Sequence, residues 1–248
     1  MTLQIGGHTD RGGRAHNEDA VDWLRDAKGL WTLGLVADGM GGYSGGEVAS
    51  TLALEVVLYR LQDWLPGSAD ATGEQVLAKL LQAARAANGR ILNEQARQSQ
   101  LARMGTTLLC GFAWHDQLAL LHAGDSRCYR WREGELARLT RDHTYVEALR
   151  EQGDISADQL DSHPNKHLLT RALGAQDEFD FSVALHKMAA GDRYVLCSDG
   201  VSNALNTADW KRCLAQPLAP GLLARLLLDT AKHNSADDNV SAVVLAVD

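Results

Sequence analysis

An α+β sandwich is predicted by three features of the 248-residue sequence. Two long segments with helical spacing come early, a block of short strand-like runs fills the middle, and the last third sets strands around helices. A parallel βαβ wheel would interleave the two kinds of element throughout, and this chain does not. Residues 30–37 read as a buried strand ending at Asp38, followed by a glycine-rich turn over 39–46. Over 47–65, Val48, Leu52, Val56 and Tyr59 recur on one side with Ala49, Ala53, Val57 and Leu61 beside them, the pattern of a helix with a wide apolar face. A second helix is predicted over 74–98, where Leu77, Leu80, Leu81, Ala84, Ile91 and Leu92 keep helical spacing. The period then changes. Runs at 105–115, 117–123, 126–132 and 136–140 are separated only by His115-Asp116, Gly124-Asp125 and Glu133-Gly134, a spacing that predicts antiparallel hairpins. Residues 144–172 are more polar, contain Gly153, Pro164 and Asn165, and read as a mobile excursion. Strands are expected again at 179–185, 193–198 and 241–247, with helices at 208–215 and 221–233.

Composition narrows the function. Apolar residues make up 45% and charged residues 23%, an ordinary globular balance, and a chain of this length buries a core without staples. With 32 acidic and 24 basic side chains the formal net charge is −8, which argues against nucleic acid or an anionic membrane as the main partner. Four prolines, no linker-like stretch and no repeat point to one domain over 1–248. Cys110, Cys128, Cys197 and Cys213 form neither a CxxC pair nor a C-x5-R loop, so buried free thiols in a reducing compartment are expected. The first ten residues lack a signal-peptide pattern, and no apolar run approaches the roughly 20 residues of a membrane span. A cytoplasmic protein is expected.

The acidic residues fall in informative places. Asp38 and Asp199 each end a strand run and precede a glycine, Gly39 and Gly200. Asp238 and Asn239 stand just before the last strand, Glu18 and Asp19 before the first buried segment, and Asp125 within the turn Gly124-Asp125-Ser126. Small neighbours let the backbone approach a ligand closely. Carboxylates converging from separate strands repel unless cations neutralise them, and oxygen-only donors favour Mg²⁺ or Mn²⁺. Strand alternation puts Asp38 on the face of Thr32, Gly34 and Val36, and Asp199 on that of Val195 and Cys197. A single Asp-Gly is more often a turn than a metal ligand. Five such acids at five strand ends favour a shared cation, and tertiary structure decides whether they meet.

The motifs extend over nearly the whole chain. They are Arg14-x-x-Asn17-Glu18-Asp19-Ala20, Ala37-Asp38-Gly39-Met40-Gly41-Gly42, Gly46-Glu47-x-Ala49-Ser50 and Met104-Gly105-Thr106-Thr107. Further on come Gly124-Asp125-Ser126-Arg127-x-Tyr129, Leu139-Thr140-Arg141-Asp142-His143, Leu169-Thr170-Arg171-Ala172-Leu173-Gly174, Ser198-Asp199-Gly200 and Asp237-Asp238-Asn239-Val240-Ser241. In this order and spacing the chain resembles the metal-dependent Ser/Thr protein phosphatases of the PPM, or protein phosphatase 2C-like, family in its compact bacterial form. The resemblance implies a four-layer α-β-β-α sandwich around a central pair of antiparallel β-sheets, with a flap insertion over 144–172 and a two-metal centre for Mn²⁺ or Mg²⁺. It implies that Asp38 bridges both ions, that the Gly39 carbonyl contacts one of them, and that Asp199 and Asp238 complete the first. Glu18 would support the second partly through water, and Asp125 with Asp199 would form a third, weaker site. Arg14 would clamp the substrate phosphate, since its planar fork matches two phosphate oxygens as lysine cannot. Read alone, Arg14 is a solvated surface arginine.

The implied reaction is hydrolysis of phosphoserine and phosphothreonine by a hydroxide bridging the ions, with Arg14, Asp38 and Asp199 as catalytic residues. Two ions roughly 3.5–4 Å apart acidify such a water and polarise the phosphoryl oxygens. Phosphoryl transfer needs mainly charge stabilisation and in-line positioning. The implied partner is a phosphorylated protein, a Ser/Thr kinase or its targets, met by a monomer. Two departures stand out: Met40 occupies the place of a histidine in eukaryotic relatives, and Tyr43 that of a histidine after the Gly-Gly pair in bacterial ones. The source of the leaving-group proton is therefore open. Two other classes compete. Gly42-Tyr43-Ser44-Gly45-Gly46 fits G-x-S-x-G, which with Asp199 and His233 would make a serine hydrolase, but Asp38 to Gly41 separate it from its strand and no HGGG-type segment exists. A catalytically dead relative serving as a regulatory binding module would have lost metal acids, and Asp38, Asp199 and Asp238 are all present.

Overall fold

The computed structural model describes residues 1–41, 45–160 and 162–248. Strands β1 (Leu3–Asp10), β2 (Asp19–Arg25) and β3 (Trp31–Met40) come first, followed by helices α1 (Gly45–Leu61) and α2 (Gly73–Arg97). The hairpin block gives β4 (Gly105–Thr106), β5 (Leu108–Trp114), β6 (Gln117–Ala123), β7 (Arg127–Arg132) and β8 (Glu135–Arg138). Helix α3 (Tyr145–Gln152), strands β9 (Ser182–Lys187) and β10 (Arg193–Cys197), helices α4 (Asp199–Ala204), α5 (Thr207–Leu214) and α6 (Pro220–His233), and strand β11 (Val240–Val247) complete the chain. All pairing is antiparallel, in the orders β1-β11-β10-β7-β8 and β2-β3-β5-β6-β9, with β4 pairing β3 off the second path.

Alternation along the central strands divides the core into three. Leu33, Leu35 and Ala37 of β3 face α1 and α2, where Ala49, Ala53, Ala83, Ala84 and Ala87 keep the helices close to the sheet. Val36 of β3 and Leu109 of β5 point the other way, onto Tyr194, Leu196, Val243 and Leu245 of the opposite sheet. Val195, Cys197, Ala242 and Val244 then meet Leu223, Leu227 and Leu228 of α6. Helix, sheet, sheet, helix is the resulting order, the four-layer α+β sandwich the sequence predicts. Truncating a fully buried member such as Leu33 (0% exposed) to alanine costs about 2–5 kcal/mol. The four cysteines are buried and free.

Several boundaries differ from the sequence reading. Strand β3 runs past Asp38 to Met40 because Gly39 and Met40 find partners in Thr106 and Gly105. Helix α1 starts at Gly45 and ends at Leu61, where a 3₁₀ turn over Leu65–Asp70 with a proline at its start takes over. Strand β1 carries Gly6-Gly7, which masks its strand character, yet all eight of its residues pair with β11. The strand expected at 179–185 lies at Ser182–Lys187, set by its register on β6. Residues 144–172 are more structured than expected. Helix α3 is capped by the Thr144 side chain and stopped by Gly153 in the left-handed conformation (φ 81°), and a Thr144–Leu169 bridge closes the base of the flap.

Candidate active site

Strand β3 delivers Asp38 opposite Asp19 of β2. Its backbone is held from three directions: the amide donates to Thr107 Oγ1 at 2.9 Å, and the carbonyl accepts from the Thr107 N–H at 2.9 Å and from Thr106 Oγ1 at 3.0 Å. On the other sheet, β10 ends at Cys197, Ser198 is the N-cap of α4 and Asp199 opens that helix. A Cβ on Gly200 would lie 2.0 Å from the Asn239 carbonyl, so only glycine lets α4 start against the segment that carries Asp238. Gly39 is equally constrained, since a Cβ there would lie 2.1 Å from the Gly46 carbonyl and 2.5 Å from that of Glu18. Asn239 organises the third arm. Its Oδ1 accepts from the Glu18 N–H at 2.8 Å, and its Nδ2 donates to the carbonyls of Arg11 (2.9 Å) and His16 (2.8 Å).

These arms converge. Glu18, Asp38, Gly39, Asp125, Asp199 and Asp238 all line one open cavity of about 900 Å³ at the end of the paired sheets. Arg14 lies at its rim, where Nη2 donates to Asp238 Oδ2 at 2.9 Å and Nε to the Asp237 carbonyl at 2.9 Å. Nη1 has no hydrogen-bond partner among the described residues. The seven residues singled out from sequence thus share one site.

The electrostatics are those of crowded carboxylates. Burial, then the charges of Asp19, Asp199, Asp125 and Asp238, push Asp38 well above the usual carboxylate range. Asp19 rises to about 7 through burial, despite hydrogen bonds from Ser241 and Ser198, and Asp125 rises to about 7 through burial and then Asp199. Burial and Asp238 raise Asp199, and burial raises Glu18. Asp19 Oδ1 is buried without a hydrogen-bond partner among the described residues. Such a set is costly without a cation. Among the described residues no three His, Cys, Asp or Glu side chains are drawn together into a ready-made ion cage. An open floor of carboxylates and carbonyls suits Mg²⁺ or Mn²⁺, which keep several waters when bound. The donor set fits these ions.

Asp19, His16 and His167 are not among the site residues expected from the sequence. Asp19 lies buried behind the floor, opposite Asp38, its Oδ2 accepting from Ser198 Oγ at 2.8 Å, and only its position beside Glu18 signals this. His16 and the flap residue His167 also line the cavity, the latter without any sequence signal. The rival serine-hydrolase reading finds no support: Ser44 and Tyr43 lie outside the described residues, and His233, at the end of α6, does not line the cavity.

Two antiparallel sheets between helix layers gather carboxylates at one end, and comparison with known proteins gives the family. The protein phosphatase 2C profile matches residues 7–233, and the chain belongs to that family. It is 38% identical over 248 residues to the serine/threonine protein phosphatase PstP of Mycobacterium tuberculosis, covering 100% of this chain and 45% of the relative. The chain therefore spans under half the length of that relative. The serine/threonine phosphatase stp of Listeria innocua is 30% identical over 238 residues, covering 96% of this chain and 93% of the relative. Among solved structures, the catalytic domain of PstP in complex with two manganese ions superposes with a TM-score of 0.81 at 37% identity, covering 99% of each chain.

Proposed function

We propose that this chain is a metal-dependent protein phosphatase that hydrolyses phosphoserine and phosphothreonine. The observation that carries this reading is the convergence of Glu18, Asp38, Asp125, Asp199 and Asp238, from both sheets and the loops between them, on one cavity in a 2C-family chain. Asp38, Asp199 and Asp238, with Glu18 and the Gly39 carbonyl, would hold two ions, and Asp125 with Asp199 a third. Bound Mn²⁺ or Mg²⁺ supplies Lewis-acid polarisation of the phosphoryl group and an acidified water as nucleophile.

The chain's own residues do the rest. The register of β2 on β3 and the Thr106–Thr107 clamp hold Asp38 at fixed depth, so its charge is preorganised. Arg14 presents a guanidinium at the rim whose Nη1 has no partner among the described residues, and takes phosphate oxygens there. Leu169 and His167 bring the flap to the cavity wall, where it meets the peptide around the phosphorylated residue. Met40 donates no proton, so protonation of the departing alkoxide falls to the side of the cavity around Asp125. The unit is one catalytic domain over 1–248, cytoplasmic and monomeric, acting on a Ser/Thr kinase or its targets. No helix among the described residues is long and apolar enough to cross a membrane.

The test is turnover of a phosphothreonine peptide with Mn²⁺, in excess chelator, and with a covalent serine inhibitor. Activity that requires the ion and ignores the inhibitor is expected. Full activity in chelator overturns the reading, and ion binding without turnover leaves the binding module.

A further inference from the structure

The groups that hold Asp125 lie outside the acidic cluster. Asp125 sits on the turn between β6 and β7, and the buried residue before it, Gly124, has both backbone polar groups engaged by one partner. The Gly124 N–H donates to His143 Nδ1 at 3.2 Å, and the Gly124 carbonyl accepts from the His143 N–H at 3.0 Å. A ring that accepts at Nδ1 carries its proton on Nε2. That nitrogen donates to Ser182 Oγ at 2.8 Å, and Arg171 Nη1, which has only protons to offer, stands 3.3 Å from it as a neighbour and not as its partner. His122 stacks on the same ring, with centroids 4.6 Å and planes 5° apart. Its own Nε2 donates to the Arg141 carbonyl at 2.8 Å, so the supporting ring is fixed too. Stacked on one face and hydrogen-bonded at both nitrogens, the His143 ring has one orientation.

The same residue is bolted to the flap. The Thr170 N–H donates to the His143 carbonyl at 2.8 Å. Three residues further on, Leu173 exchanges backbone hydrogen bonds with Thr106 at 2.9 and 3.1 Å, and Thr106 Oγ1 donates to the Asp38 carbonyl. One short segment at the flap's C-terminal root therefore braces the Asp38 strand and, through His143, the Asp125 turn.

We propose that His143 is a positioning residue for Asp125: acting through Gly124, it fixes the turn that aims Asp125 at Asp199 and ties it to the flap root. It works by removing backbone freedom from the turn, not by touching phosphate. The inference rests on the phosphatase reading only where Asp125 affects turnover; the anchoring of the turn stands apart from it.

The test compares His143→Leu, which removes the acceptor at Nδ1, with His143→Asn, whose Oδ1 restores an acceptor near the same place. In ion-free protein, exchange of the Gly124 amide followed by NMR is expected to quicken about tenfold or more in the leucine variant and to stay slow in the asparagine variant, because a hydrogen-bonded amide must open to exchange. With Mn²⁺, phosphothreonine-peptide turnover should fall about tenfold in His143→Leu and recover most of that in His143→Asn, while p-nitrophenyl phosphate turnover falls clearly less. The double variant His143→Leu/Asp125→Ala should be no slower than Asp125→Ala alone, since residues acting in one chain are non-additive. Equal losses in the two His143 variants with unchanged Gly124 exchange, or additive losses in the double variant, overturn the proposal. If His143→Leu does not fold, Ser182→Ala, which releases Nε2 and leaves Gly124 bonded, should show the same substrate preference on a smaller scale, and loss of equal size on both substrates counts against it. Absence of all turnover in the wild type sinks the phosphatase reading, and the exchange comparison still decides the role of His143.

Discussion

The floor and the rim of the cavity are built by different means. On the floor, Asp38 is backed in strand register by the buried Asp19, the two braced by Thr106, Thr107 and Ser198 and surrounded by like charge. At the rim, Arg14 stands with its side chain 58% exposed and reaches down to Asp238 at the floor's edge, and His167 comes from the flap. Floor residues are fixed by the sheets whatever binds there, so their repulsion is stored in the fold. Rim residues have solvent as an alternative partner, so their contacts are weak and exchangeable. Substitutions on the floor should therefore change ion binding, chemistry and stability together, and those at the rim only substrate handling.

The largest effects belong to the floor. Asp38→Ala and Asp199→Ala, with Asp238→Ala at its edge, are expected to lower kcat by about a thousandfold or more, because each removes charge from the ion site. Steady-state kinetics across a Mn²⁺ titration checks this, and a variant restored to wild-type kcat by extra Mn²⁺ would have lost affinity alone. Asp125→Ala comes next. Peptide turnover should fall about a hundredfold, the scale of general-acid effects, and p-nitrophenyl phosphate much less, since nitrophenolate leaves without a proton. Equal losses on both substrates would remove leaving-group protonation from the Asp125 side and make His16 the next candidate.

At the rim, Arg14→Lys keeps the charge and loses the fork. We expect KM for the phosphopeptide to rise about tenfold with an unaltered Mn²⁺ requirement. Wild-type constants would return Arg14 to a solvated surface role. Stability gives the smallest and sharpest contrast. Asp19 and Asp125 are raised to about 7 and Asp38 well above its ordinary value, against about 3.9 for an unfolded aspartate. The native state thus binds protons more tightly than the unfolded chain, and the associated stability is complete below about pH 4 and lost as pH rises through about 7. Chelated protein should melt higher at pH 5.5 than at pH 8, and Mn²⁺ should narrow the gap. Asp38→Asn should raise Tm of chelated protein at pH 8 by about 2–4 °C, whereas Arg14→Lys should leave it in place. A fall in Tm with Asp38→Asn would mean that the floor stores no repulsion.

Much of this was written in the chain itself. Strand alternation placed Val36 and Leu196 between the sheets and Leu33 and Val195 against helices, because side chains on a strand point to opposite faces in turn. The acids beside glycine marked where strands end near a ligand, and the ordered motifs bound them into one family. Other features depend on partners distant in sequence. Strand β1 exists because β11 hydrogen-bonds its whole length, which local propensity at Gly6-Gly7 opposes. Met40 stays in β3 because β4 supplies the ladder. His167 reaches the cavity, and His143 grips Gly124, only once the flap folds back onto the hairpin block. Sequence determines which residues are suited to bind a cation and which face each occupies, since those follow from chemistry and local geometry. Only the tertiary structure decides which of them meet, because burial and charge–charge repulsion arise between elements that the chain keeps far apart.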